Sequence, residues 1–276
     1  DVKVIDRPFG YTQIVIAGKE YLKSGKNEIR VIAHNEDQPN SRWYSGSGIY
    51  RPVWLYESED DNYIKLYGIK VKTLQYETKT VEFSVETSLP GMVMIDIIDE
   101  EGRTVLSGLK ANSSLQKNNV CLAVIKTKID RAKCWSPDTP ILYKALVKFG
   151  KDEANLSFGI RELSWTKERG LLINGERVIL KGACIHSDNQ LLGAEVYPEA
   201  EERRVRLLKE VGYNAIRSAH NPACKDLLKA CDRLGMLVMD EYTDMWYIHK
   251  NKYDYASYMP DWWKQDLKDM VDKDLN

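Results

Sequence analysis

Residues 214–241 restrict the possible folds more than any other part of this chain. Two short apolar segments, Ala215-Ile216 and Met236-Leu-Val-Met239, flank a stretch in which Leu227, Leu228, Cys231 and Leu234 share one stripe. That spacing suits a buried helical face, so the segment reads as strand, turn, helix, turn, strand. Arg217, His220 and Asn221 stand at or just beyond the end of the first strand, and Asp240 and Glu241 at the end of the second. A (β/α)₈ barrel gathers its active-site groups at the carboxyl ends of its strands. The pattern therefore predicts an enzyme built on such a scaffold.

The rest of the chain shows where that scaffold begins. Its 276 residues allow two or three domains. Up to residue 58, Tyr11–Ile16 and Glu28–Ala33 read as strands, and the Gly/Ser-rich Ser41–Leu55 as a loop feeding another. The acidic run Glu57–Asp61 marks a boundary. Over residues 59–163 apolar residues fall on alternate positions in Lys65–Lys72, Thr80–Thr87, Met92–Ile98 and Ile141–Val147. Turn residues Pro90-Gly91, Glu101-Gly102 and Asn118-Asn119 separate them, which predicts a β-sandwich. From 164 to 276 the period changes. Leu171–Leu180 predicts a hairpin turning at Asn174-Gly175, Glu199–Val211 an amphipathic helix, and Trp262–Leu275 a further helix. With Ile179–Ala183 as a first strand, three of the eight βα units of a barrel are counted.

Bulk properties exclude some functions. With 40 basic and 41 acidic residues the formal charge is −1, which gives no electrostatic basis for nucleic-acid or anionic-membrane partners. No apolar run reaches the roughly 18 residues of a membrane span. The five cysteines are odd in number and lack paired ligand spacing, so they read as small buried hydrophobes. The chain opens on Asp1 rather than Met and is expected to begin inside a longer protein.

Four segments taken in order resemble one family. They are Ser41–Leu55, Trp135-Ser-Pro-Asp-Thr-Pro140, Phe158-Gly-Ile-Arg161, and the run from Leu180-Lys-Gly-Ala-Cys-Ile-His186 through Asp240-Glu241. Together they resemble glycoside hydrolase family 2, most closely its β-galactosidases. The resemblance implies the C-terminal part of a jelly-roll domain (1–58), an immunoglobulin-like β-sandwich (59–163) and the N-terminal part of a catalytic TIM (β/α)₈ barrel (164–276). It also implies retaining hydrolysis of terminal β-linked sugars by two glutamates, nucleophile and acid/base. The family's acid/base lies in an Asn-Glu pair, and here Val271–Asn276 resembles its lead-in. Both catalytic glutamates are therefore expected beyond Asn276, and the segment alone is expected to be inactive. The implied setting is bacterial, periplasmic or secreted rather than cytoplasmic, with a homo-oligomeric parent.

The same resemblance implies roles for single residues. His186 would contact the sugar, Arg217 would orient a carboxylate through a bidentate pair, and His220, followed by Asn221, would steady the glycosyl group. Arg42, Trp43 and Tyr44 would reach toward the cleft, although Trp43 and Tyr44 could equally pack a domain interface. Adjacent strand residues face opposite sides, so Asp240 and Glu241 cannot both address one bond. One is expected to be structural and the other to support the site. Some relatives bind Mg²⁺ slightly downstream, where this chain has Tyr242-Thr-Asp-Met-Trp246. Asp244 alone offers too few oxygens for that ion, so no cofactor or metal is expected. The rival reading is a non-catalytic carbohydrate-binding or interaction module made of β-sandwich domains.

Overall fold

The computed structural model describes residues 2–275. Its best-formed unit is a seven-stranded antiparallel sheet. The strands are β1 (Ile64–Gln75), β2 (Thr80–Thr87), β3 (Gly91–Ile98), β4 (Thr104–Leu115), β5 (Cys121–Lys128), β6 (Tyr143–Phe149) and β7 (Asp152–Phe158), in the order β1-β2-β5-β4-β3-β6-β7. β4 pairs with β3 along most of its length but meets β5 only through Ser114 and Leu115, so it passes from one layer to the other. The far edge returns to the near one: β1 lies against β7, and the Ile64 amide donates to Asp152 Oδ2 at 2.7 Å. The period-2 pattern explains the core. Val81, Phe83 and Val85 of β2, Val93, Ile95 and Ile97 of β3, and Ala145 and Val147 of β6 are all fully buried. Alternation in the sequence exposed β1, β2, β3 and β6. It missed β4, most of whose residues are exposed, β5, although Cys121, Ala123 and Ile125 alternate inward there, and β7, where the alternating Ala154 and Leu156 are only partly buried.

A small antiparallel sheet follows, formed by β8 (Leu163–Thr166), β9 (Gly170–Ile173) and β10 (Glu176–Arg177). Its hairpin turns at Asn174 and Gly175 with φ of 51° and 78°, the left-handed values such a tight turn demands.

The barrel segment has three parallel strands, β11 (Gly182–His186), β12 (Ala215–Ala219) and β13 (Leu237–Met239), with α1 (Pro198–Glu210) and α2 (Lys225–Leu234) as crossovers. α3 (Met259–Asp274) comes after them. Ile216 on one strand face packs with Val205, Leu227, Ala230 and Cys231 of the helices. The opposite face presents Cys184, Arg217 and Met239 in register.

Two expectations are corrected here. The first barrel strand is Gly182–His186, not Ile179–Ala183, and Ile179 and Leu180 are exposed. Asn214 is the reason. Its side chain accepts from the Lys181 amide and donates to the Ile179 carbonyl, so regular pairing starts only at Gly182 beside Ala215. Cys184 is exposed rather than buried, because it lies on the face that no helix covers.

A third correction concerns residues 2–63. Neither Tyr11–Ile16 nor Glu28–Ala33 forms a strand, and no strand occurs among the described residues before Ile64. Strands need ladder partners, and these stretches pair with nothing. Ile14, Val15, Ile29, Val31 and Ile32 stand exposed. The segment instead lies along the barrel portion. Arg7 bonds to Asp266 and Asp269 of α3, Phe9 is buried against Tyr242 and Tyr255, and Arg51 donates to the Pro222 carbonyl at 2.9 Å.

The motif residues Trp135 and Phe158–Arg161 join the large sheet to the barrel segment. The buried Trp135 indole donates to the Asp232 carbonyl at 2.8 Å, its amide bonds to the Ile160 carbonyl, and the Arg161 guanidinium lies over its ring. Burial pushes the Asp232 carboxyl up to about 6 against the pull of Arg161 and Arg233.

Candidate active site

The carboxyl ends of the three parallel strands bring His186, Arg217, His220 and Glu241 together. β12 delivers Arg217, whose guanidinium reaches the Glu241 carboxylate at 2.8–2.9 Å. It also bonds to Cys184 Sγ at 3.2 Å and meets His220 Nδ1 at 3.2 Å. His220 follows a cis peptide after Ala219, and its Nδ1 lies 3.2 Å from Glu241 Oε2. The His186 and His220 rings meet edge to face with centroids 5.2 Å apart. On the other side Trp43, from the N-terminal segment, approaches His220 with centroids 5.2 Å apart. The His220 ring thus lies in contact with both the His186 imidazole and the Trp43 indole.

The two adjacent carboxylates separate as strand geometry requires. Glu241 faces Arg217 and His220, whereas Asp240 accepts from the Ala223 amide at 3.0 Å. Asn221 does not face the cleft. It is fully buried, takes a hydrogen bond from Ser187 Oγ on its side chain and one from Ser218 Oγ on its carbonyl, and so braces the loops after β11 and β12. Tyr44 stands apart from the cluster, exposed beside the Asp188–Gly193 segment. Arg42 reaches the site only indirectly, through an ion pair with Asp244.

Asp244 is the residue that sequence reasoning undervalued. Burial would raise its carboxyl, but hydrogen bonds from Lys250 and Arg42 prevail and hold it below the usual range. Its oxygens, the His220 ring and the Glu241 carboxylate offer ligand atoms all within 4.8 Å of one another. This trio does not suit a divalent cation. Arg217 already holds Glu241, and Arg42 and Lys250 hold Asp244, so three cations balance two carboxylates. Mg²⁺ asks for several free oxygens in an octahedron. A loop residue with no periodic neighbour gave no sequence signal for this network, since Arg42 and Asp244 lie 202 positions apart.

Comparison with known proteins points the same way. The profile described as "Glycosyl hydrolases family 2" matches residues 58–161, and that of the "Glycosyl hydrolases family 2, TIM barrel domain" matches 165–271. A β-galactosidase of Bacteroides ovatus is 34% identical over 284 residues, covering 98% of this chain and 33% of the relative. A provisionally named β-glucuronidase of Formosa agariphila is 33% identical over 281 residues, covering 98% and 26%. The crystal structure of a β-glycosidase from Bacteroides vulgatus superimposes with a TM-score of 0.87 at 31% identity, over 98% of this chain and 35% of that one. The chain thus spans about a third of the length of these relatives, or less.

Proposed function

Because this chain belongs to glycoside hydrolase family 2, we propose that it forms part of a retaining exo-β-glycosidase, a β-galactosidase in the first instance. The observation that carries this reading is the convergence of His186, Arg217, His220 and Glu241, with Trp43 beside them, at the carboxyl ends of parallel strands. Neutral imidazoles exchange hydrogen bonds with hydroxyls at either nitrogen. An indole face offers a stacking surface to sugar C–H groups. The galactosidase assignment leans on the Bacteroides ovatus relative, and the Formosa relative makes β-glucuronides the second substrate to try.

Retaining hydrolysis needs two carboxyl groups about 5–5.5 Å apart, one of them able to donate a proton near neutral pH. Glu241 and Asp244 are close enough to invite that role. Their partners argue against it. Asp244 is held ionised by Lys250 and Arg42, so it has no proton to give, and Glu241 is tied to Arg217. On the family resemblance of Val271–Asn276, we place the nucleophile and acid/base beyond residue 276. We read residues 59–163 as an immunoglobulin-like sandwich, supported by the β1-β2-β5-β4-β3-β6-β7 order. For residues 1–58, which form no strand among those described, the jelly-roll reading rests on the resemblance of Ser41–Leu55 alone.

A chromogenic assay tests the proposal. The full-length protein that contains this chain is expected to cleave nitrophenyl β-galactoside with retention, while residues 1–276 alone turn over neither galactoside nor glucuronide. Sugar binding by the full-length protein without any turnover would favour the non-catalytic module instead.

A further inference from the structure

A small internal cavity of about 20 Å³ lies behind His186, between the loop that follows β11 and helices α1 and α2. Arg51, His186 and Asn189 line it. Each carries a buried polar atom with no hydrogen bond in the protein: Arg51 Nε, His186 Nδ1 and Asn189 Nδ2. Buried polar groups without partners are rare and costly to desolvate. A cavity of roughly 10–15 Å³ with two to four polar partners is enough to hold a water molecule. We propose that one structural water occupies this cavity and fixes the tautomer of His186.

The chemistry of the three atoms sets the direction of each bond. Arg51 Nε and Asn189 Nδ2 carry only hydrogens, so both donate to the water and occupy its two lone pairs. The water then donates, and His186 Nδ1 accepts. A neutral imidazole that accepts at Nδ1 bears its proton at Nε2. His186 therefore presents an N–H donor from the opposite edge of its ring.

The surroundings hold this arrangement in place. Arg51 is fixed by bonds from Nη1 to the Tyr11 carbonyl at 2.8 Å and from Nη2 to the Pro222 carbonyl at 2.9 Å. The Asn189 backbone N–H donates to the Gly193 carbonyl at 2.7 Å, and Arg204 Nη2 donates to the His186 carbonyl at 2.7 Å. An anion such as chloride is the competing occupant. It would meet the carboxylate of Glu201, which is 4% exposed and lines the same cavity. It would also require the His186 proton on Nδ1, so the two occupants predict opposite tautomers.

The glycosidase reading gives the Nε2–H a use, as a donor to a substrate hydroxyl, but the water and the tautomer stand apart from it. Two measurements on the full-length protein decide. A high-resolution crystal structure is expected to show one water bonded to Arg51 Nε, Asn189 Nδ2 and His186 Nδ1. Nitrogen-15 correlation spectra are expected to place the His186 proton on Nε2. An empty cavity, a chloride, or a proton on Nδ1 overturns the proposal. Asn189→Leu should expel the water and mix the tautomers, and Asn189→Ser should retain both. An unmixed Nε2–H tautomer in the leucine variant would show that something else sets it. Failure of the glycosidase reading appears separately, as absent turnover with water and tautomer intact.

Discussion

At the scale of single residues, Arg217 shows how strand-end placement becomes chemistry. Its guanidinium holds Glu241 and also touches Cys184 and His220. Arg217→Ala leaves Glu241 without its guanidinium partner and removes one of the polar contacts at His220 Nδ1. In the full-length enzyme this is expected to lower kcat/KM at least about tenfold, or about 1.4 kcal/mol of transition-state stabilisation. Lysine should recover little, because it lacks the planar fork. Steady-state kinetics on nitrophenyl β-galactoside decide this, and an unchanged kcat/KM would remove Arg217 from the site. Asp232 supports a prediction of a different kind. Its folded-state carboxyl keeps a proton up to about pH 6, against an ordinary value of 3.8. The folded state thus binds more protons across that window, and stability falls as pH rises from about 4 to about 6, by on the order of 2 kcal/mol. Asp232→Asn should flatten this slope in urea melts taken on either side of the window. A slope unchanged by the substitution would mean that Asp232 does not titrate there.

At the scale of elements, close backbone approach matters most. Gly182 opens β11 directly against β12, and a Cβ there would sit 2.1 Å from the Ala215 carbonyl oxygen. Gly182→Ala must therefore displace one strand. The variant is expected to lose about 1–3 kcal/mol and to misplace His186 at the other end of the same strand. Urea melts check the first effect, and the second appears as loss of activity beyond any loss of fold. A variant as stable and active as the parent would show that the two strands are less tightly apposed. Elements differed in legibility for physical reasons. β2 and β3 each bury alternate residues, so a period of two was visible. Gly235 adopts a left-handed conformation where α2 ends, a position glycine fills readily. β4 packs Val105, Leu106, Leu109 and Ala111 against the core, but these fall on no regular alternation, so its pattern gave no period to read.

For the molecule as a whole, the parts differ in self-sufficiency. The seven-stranded sheet encloses its own core, so residues 62–163 expressed alone are expected to melt cooperatively. The three parallel strands instead leave Met239 and Cys184 exposed on one face, and β13 and β11 form open edges. Residues 164–276 alone are therefore expected to self-associate or stay loosely packed. Size-exclusion chromatography and a thermal melt of each piece test both statements. A monomeric, cooperatively folding 164–276 would refute the second.

The division between sequence and tertiary structure follows from the range of the interactions. Local periodicity announced the helices α1, α2 and α3, the strands β12 and β13, the alternating strands β1, β2, β3 and β6, and the tight turn at Asn174-Gly175. Each of these depends on residues a few positions apart. The motif residues also announced His186, Arg217 and His220 as a group, because strand ends in a parallel sheet must lie side by side, but left open which of Asp240 and Glu241 joins them. Tertiary structure alone decided that Trp43 stands against His220, that Asp244 is shared by Arg42 and Lys250, and that Asn221 braces loops instead of facing the cleft. It alone also decided that apolar, β-branched segments before residue 58 form no strand, since a ladder depends on a partner strand and not on propensity.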